Sequence, residues 1–122
     1  MTEGDRIAHR LGDLRSFGAE TRYVVDRGRE AYLADTPEGA LLRNAGERVL
    51  IKVATVVEKL PQAYKAQHDD VPWVAISRMR NLVAHHDDKV NDDVMRTALA
   101  VRVPDLLDAL GLQERTRDDR LT

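Results

Sequence analysis

The chain predicts an all-α protein, an up-and-down bundle of about four to five helices, on two observations. Apolar residues recur at steps of three and four along most of the length, the period of a helix face, and no segment sustains the alternation of a half-buried strand. Start signals led by Pro37 and Pro72, and a stop at Gly111, cut that pattern into segments of helix length. There is no internal repeat and no low-complexity block.

Ile7, Leu11 and Leu14 form the apolar side of the first helix, with Arg6, Arg10, Asp13 and Arg15 on its other faces. Phe17-Gly18 is a place for a kink or break, after which Tyr23, Val24, Ala31 and Tyr32 carry helix to about Ala34. Asp35-Thr36-Pro37-Glu38 is the next start, since Thr or Asp caps free amides and Pro at the first helical position loses no hydrogen bond. The long helix that follows carries Leu42, Ala45, Val49, Val53, Val56 and Leu60 as one stripe, widened by Leu41, Leu50 and Val57, so it is the expected core helix. Pro61 ends it, and residues 62–70 read as a short helix or loop. Asp69-Asp70-Val71-Pro72-Trp73 repeats the acid-then-proline start of a helix whose buried side is Val74, Ile76, Met79, Leu82 and Val83 and whose end lies near His85. After the polar break His86-Asp87-Asp88-Lys89, Asn91 is placed to cap a last helix through Val94, Ala98, Val101, Leu106, Leu107 and Leu110, kinked at Pro104. Residues 1–112 are therefore expected to form one domain, with 113–122 a charged, frayed tail.

Composition narrows the function. With 43% hydrophobic and 33% charged residues, the 122-residue chain has material for one core and extensively charged helix surfaces. Only five aromatic residues occur, so the core is aliphatic. The absence of Cys excludes disulfides and thiolate metal sites. No apolar run approaches the roughly 18 to 20 residues that span a bilayer, and the polar start at residues 1–10 is no signal segment, which predicts a cytoplasmic protein. A formal net charge of −2 gives no general attraction to polyanions such as nucleic acids, so any contact of that kind has to be local.

One segment carries chemistry. Arg78-Met79-Arg80-Asn81-Leu82-Val83-Ala84-His85 places Arg80, Asn81 and His85 near a helix end. Five residues advance about 140° beyond a full turn, so Arg80 and His85 lie on neighbouring faces while Asn81 and His85 share one. The long Arg80 side chain reaches round to them, and one phosphodiester can then touch all three. His85 suits proton transfer near neutral pH, and Arg80 is permanently cationic and fork-shaped. The same residues also fit an ion-pair and helix-end cluster with no catalytic role.

Arg80-Asn81 followed by His85 is the R-x-x-x-x-H pattern, with its polar second residue, of the HEPN nucleases, and Pro72-Trp73 upstream is similar to the HepT branch. The resemblance extends to the leading amphipathic helix, the Leu33-Ala34-Asp35 junction and Val103-Pro104-Asp105-Leu106-Leu107, and so covers nearly the whole domain. It implies a HEPN-like bundle and a metal-independent endoribonuclease toxin of a HepT/MNT toxin–antitoxin pair. Arg80 and His85 would be its catalytic residues and Asn81 would support them or bind RNA. A homodimer would set two such motifs in one cleft, a minimal nucleotidyltransferase (MNT) would be the antitoxin, RNA would be the substrate, and no cofactor or metal would be needed. The alternative is a catalytically silent HEPN subunit that holds a nucleotidyltransferase or its substrate.

Two positions depart from the family pattern. Relatives carry a Tyr that the partner modifies with AMP where this chain has Asp87, which points to neutralisation by protein contact instead. Relatives also carry Gly-Glu-Ala in the core helix where this chain has Ala54-Thr55-Val56, which removes a polar contact at that point. Six Asp residues between 69 and 93 stand against Arg78, Arg80 and Lys89, so modest RNA affinity is expected. His85-His86-Asp87-Asp88 is better read as a solvated loop than as a metal cluster, because adjacent residues rarely point at one ion. Trp73 is better read as a core anchor than as a base-stacking platform, and His9 and His68 as surface residues.

Overall fold

The computed structural model describes residues 1–84 and 89–113, with the backbone alone at 89–91. The first helix, α1 (Glu3–Asp26), opens with a reciprocal cap: Thr2 Oγ1 accepts from the Asp5 amide at 3.1 Å and Asp5 Oδ2 from the Thr2 amide at 3.2 Å. It runs without a break through Phe17-Gly18. Gly18 is there for close approach, because a Cβ would collide with the side chain of Leu107. The interruption comes instead at Gly28, whose φ of 96° suits glycine and sets off a separate short helix, α2 (Arg29–Leu33).

The core helix α3 (Pro37–Lys59) starts where the sequence predicts, with Thr36 Oγ1 accepting from the Gly39 amide at 3.0 Å. It ends at Leu60, held extended ahead of Pro61. Leu42, Val49, Leu50, Val53, Val56 and Val57 are all buried, whereas Leu41 is exposed. Next come α4 (Gln62–Ala66), α5 (Trp73–Ser77) and α6 (Arg80–Ala84). The single helix expected from Trp73 to His85 is thus divided. Met79, Asn81 and Leu82 donate to carbonyls three residues back, which tightens the chain between α5 and α6 and buries Ile76 and Met79 while Val74 stays exposed.

The last rod comprises α7 (Lys89–Thr97), a π-helical turn (Ala98–Arg102) and α8 (Val103–Ala109). The kink expected at Pro104 takes the form of this π turn: proline has no amide to donate and its ring crowds the preceding turn, so the chain widens and the Val103 amide bonds to Ala98 O, five residues back. Asn91 lies inside α7 and not at its cap. Met95, Ala98, Leu99, Val103, Leu106 and Leu107 face the core, while Val94 and Val101 do not.

Side-chain contacts fix the directions of the rods. Glu20 meets Lys52 and Val24 lies with Val49, so α1 and α3 are antiparallel. Gly18 meets Leu107 while Val25 O accepts from Arg96 at 3.2 Å, so α1 is antiparallel to the last rod as well. The result is an all-α up-and-down bundle around α3, with no strand among the described residues.

A polar group is enclosed where α2, α3 and α7 meet. Arg43 donates to Tyr32 O at 2.9 Å and Ala34 O at 2.8 Å and lies 3.9 Å from the buried Asp92. On the outside, Arg29 grips Asp93 at 2.8 Å, which holds the Asp93 carboxyl below its usual range. Tyr32 is fully buried and its hydroxyl has no hydrogen-bond partner among the described residues. Burial, reinforced by the Asp92 and Glu47 carboxylates, pushes its pKa from the usual 10 up to about 12. A raised pKa means the neutral phenol is stabilised by folding: that contribution is complete below pH 10 and is lost as pH rises towards about 12. Tyr32→Phe should therefore be at least as stable as the parent at pH 7, having lost an unsatisfied buried hydroxyl worth about 1 kcal/mol or more. It should also lose less stability than the parent over this alkaline window, as read by urea denaturation at each pH. A Phe variant weaker by more than about 1 kcal/mol at pH 7 would show that the hydroxyl has a partner.

Candidate functional site

Arg80 and Asn81 open α6, and both are exposed. Met79 is buried immediately before them and Leu82 and Val83 pack against the core immediately after, so the backbone under the pair is fixed while the side chains face outward. His85 and Asp87 lie outside the described residues, as does the whole His85-His86-Asp87-Asp88 segment. The spatial relation of His85 to Arg80 and Asn81 therefore rests on the sequence, with α6 described as helix up to Ala84, one residue before it.

The guanidinium of Arg80 is held by a residue that the motif does not contain. Arg80 Nη2 donates to Glu58 Oε2 at 2.6 Å, a short charge-assisted bond from the last turn of α3. Both side chains are about half exposed, 43% for Arg80 and 52% for Glu58, so the pair is open to solvent and to an incoming anion. Thr55 stands where relatives carry a core-helix carboxylate, so the sequence predicts that this polar contact is missing. Glu58 supplies it three residues later, and i, i+3 neighbours share a side of a helix, which was the signal available.

Arg80 and Asn81 also form one wall of an open cleft of about 710 Å³ between α4, α5 and α6. Pro72, Trp73 and Val74 give it an apolar floor, and Lys65 and Arg78 add two further cations. Trp73 is partly buried against the core, and its indole N–H donates to His68 O at 2.9 Å and Lys65 O at 3.1 Å. It is the anchor the sequence predicts, and it also presents surface to the cleft. Of the acid-rich stretch expected to weaken anion binding, Asp87 and Asp88 lie outside the described residues. Asp92 and Asp93 are engaged by Arg43 and Arg29, and Asp69 and Asp70 do not line the cleft.

Among the described residues no group of three or more metal-binding side chains converges, and no helix is long and apolar enough to cross a membrane. The arrangement is suited to holding a phosphate on Arg80 beside a polar amide, with a histidine close in sequence. Residues 19–111 match the model of the family described as Ribonuclease HepT-like. The chain belongs to that family. A curated protein named "Putative RNase TTE0752", from Caldanaerobacter subterraneus subsp. tengcongensis, is 25% identical to this HepT-like chain over 87 residues, covering 71% of this chain and 78% of the relative. No solved structure matches the chain.

The half-exposed geometry of the Glu58–Arg80 pair limits what it contributes to folding. Glu58→Gln is expected to change unfolding free energy by less than about 1 kcal/mol, because exposed ion pairs are screened and cost side-chain entropy. Urea denaturation of the two proteins at low and moderate salt checks this, and a loss of several kcal/mol would mean that Glu58 is a structural residue.

Proposed function

We propose that this HepT-like chain is a metal-independent endoribonuclease toxin of a HepT/MNT pair, working as a homodimer whose two Arg80/His85 motifs share one cleft. The observation that carries the reading is the Arg80 guanidinium, presented beside Asn81 at the rim of a cationic cleft in a chain of the ribonuclease HepT-like family. Cleavage needs one group to take the 2′-hydroxyl proton, one to protonate the leaving 5′-oxygen, and cations to stabilise the charge gathering on phosphorus. The 2′-oxygen forms a bond to phosphorus as the bond to the 5′-oxygen breaks, leaving a 2′,3′-cyclic phosphate and a free 5′-hydroxyl. His85 from each protomer fills the two proton-transfer roles, Arg80 binds the phosphate, and Asn81 orients either group. Asp87 offers no phenol for transfer of AMP, so the minimal nucleotidyltransferase antitoxin acts by covering the cleft.

The rival reading, a silent subunit that holds a nucleotidyltransferase, draws support from Glu58, which already neutralises Arg80. Activity separates the two. Expression without a partner should slow bacterial growth, and purified protein should cleave RNA in the presence of a chelator. Arg80→Ala and His85→Ala should each lower the rate by about 10² or more, the usual loss for a charge stabiliser or a general acid–base group. His86→Ala, just outside the motif, should remain active. Intact RNA with the wild-type protein would favour the silent subunit, and equal loss from both histidine variants would reopen a metal role for residues 85–88.

Pairing of two motifs sets a second requirement. Mass measurement across a concentration series should give a dimer at micromolar protein, and a strict monomer that still cleaves RNA would show that one motif suffices.

A further inference from the structure

We infer that the cleft beside Arg80 is a binding subsite for single-stranded RNA, in which Lys65 and Arg78 take backbone phosphates next to the scissile one and Trp73 with Pro72 and Val74 receives an unstacked base. This deepens the ribonuclease reading and rests on it for the position of the scissile phosphate. The chain as a whole carries 19 basic and 21 acidic residues, so chance would give a cleft of mixed sign. This one is lined by three cations, Lys65, Arg78 and Arg80, and by no carboxylate among the described residues. Neither Lys65 nor Arg78 enters an ion pair among the described residues, whereas Arg29, Arg43 and Arg80 each do. Two cations outside any ion pair among the described residues suit a polyanion, since each phosphate contact releases counterions from the strand.

The floor supplies the second half of the recognition. Trp73 is fixed by its two indole hydrogen bonds and flanked by Tyr64, with ring centroids 6.4 Å apart, so it presents a rigid aromatic surface that need not reorganise on binding. Val74 beside it is 63% exposed, an unusual exposure for a large aliphatic residue at the edge of a core. Aromatic surface flanked by cations binds single strands with little sequence preference, because every base has a stackable face. A duplex would not suit the subsite, since its bases are already paired and stacked. The volume of about 710 Å³ lies in the ordinary range for ligand sites, about 300 to 1,000 Å³.

Trp73 is the only Trp in the chain, so its fluorescence reports on this cleft alone. The experiment titrates the full-length His85→Ala protein, in which RNA should persist, with a single-stranded RNA of mixed sequence of about ten nucleotides, a length within the usual span of single-strand sites. Trp73 emission should be quenched on binding, and the same RNA annealed into a duplex should quench it at least tenfold less effectively. Lys65→Gln with Arg78→Gln should weaken the single-strand affinity by about tenfold or more at low salt and reduce the slope of log affinity against log salt by about 1.4, two contacts at about 0.7 each. Circular dichroism confirms that the double variant is folded. Binding that leaves Trp73 emission unchanged, a double variant that binds like the parent, or no binding at all would overturn the subsite. If the wild-type protein leaves RNA intact while the quench and its loss in the double variant persist, the subsite stands and only the nuclease reading fails.

Discussion

The Arg43 guanidinium is the point on which the assembly of this bundle depends. It reaches from the first turns of α3 to donate to two backbone carbonyls at the end of α2 and to face the buried Asp92 near the start of α7. A buried carbonyl without a donor destabilises the fold by about 1 to 3 kcal/mol, and a buried carboxylate without a partner by more. One side chain therefore links three elements. It also ties α7 to α3 through Asp92, while the neighbouring Asp93 is held by Arg29 on the outside.

A second consequence concerns charge. Among the described acids of the stretch that surrounds the motif in sequence, the fold turns Asp92 and Asp93 towards α3 and α2, and Lys65, Arg78 and Arg80 stand around the cleft. The net charge of −2 is a poor guide to what a phosphate meets at that surface. Among the described residues, Glu58 is the carboxylate that meets Arg80. Its bond to Arg80 orients the guanidinium and also competes with a phosphate for it, so binding there is an exchange of one anion for another.

The π turn at Ala98–Arg102 connects local chemistry to packing. Proline at 104 removes one helix hydrogen bond, and the chain responds by widening the preceding turn and not by ending the rod. Leu99 and Val103 remain buried on either side of it, and Leu107 reaches the bare face of Gly18 on α1. A break would have separated these contacts. The apolar area they bury favours the continuous rod.

The sequence by itself determined the helical class, the start of α3 at Thr36-Pro37, its end before Pro61, most of the aliphatic stripe of the core and the helical setting of the motif residues Arg80 and Asn81. These follow from period, capping and proline geometry, which act within a few residues of chain and so can be read from it. The tertiary structure alone decided that Gly18 lies inside a helix, that the segment from Trp73 is split at Arg78-Met79, that Leu41, Val74, Val94 and Val101 face outward, and that Glu58 meets Arg80. Each of these depends on a partner far away in sequence: Leu107 for Gly18, the α3 surface for Ile76 and Met79, and the turn after Pro61 that brings α6 back alongside the end of α3. Periodicity fixes which residues share a side of a helix, but only packing against a distant element fixes which side is covered.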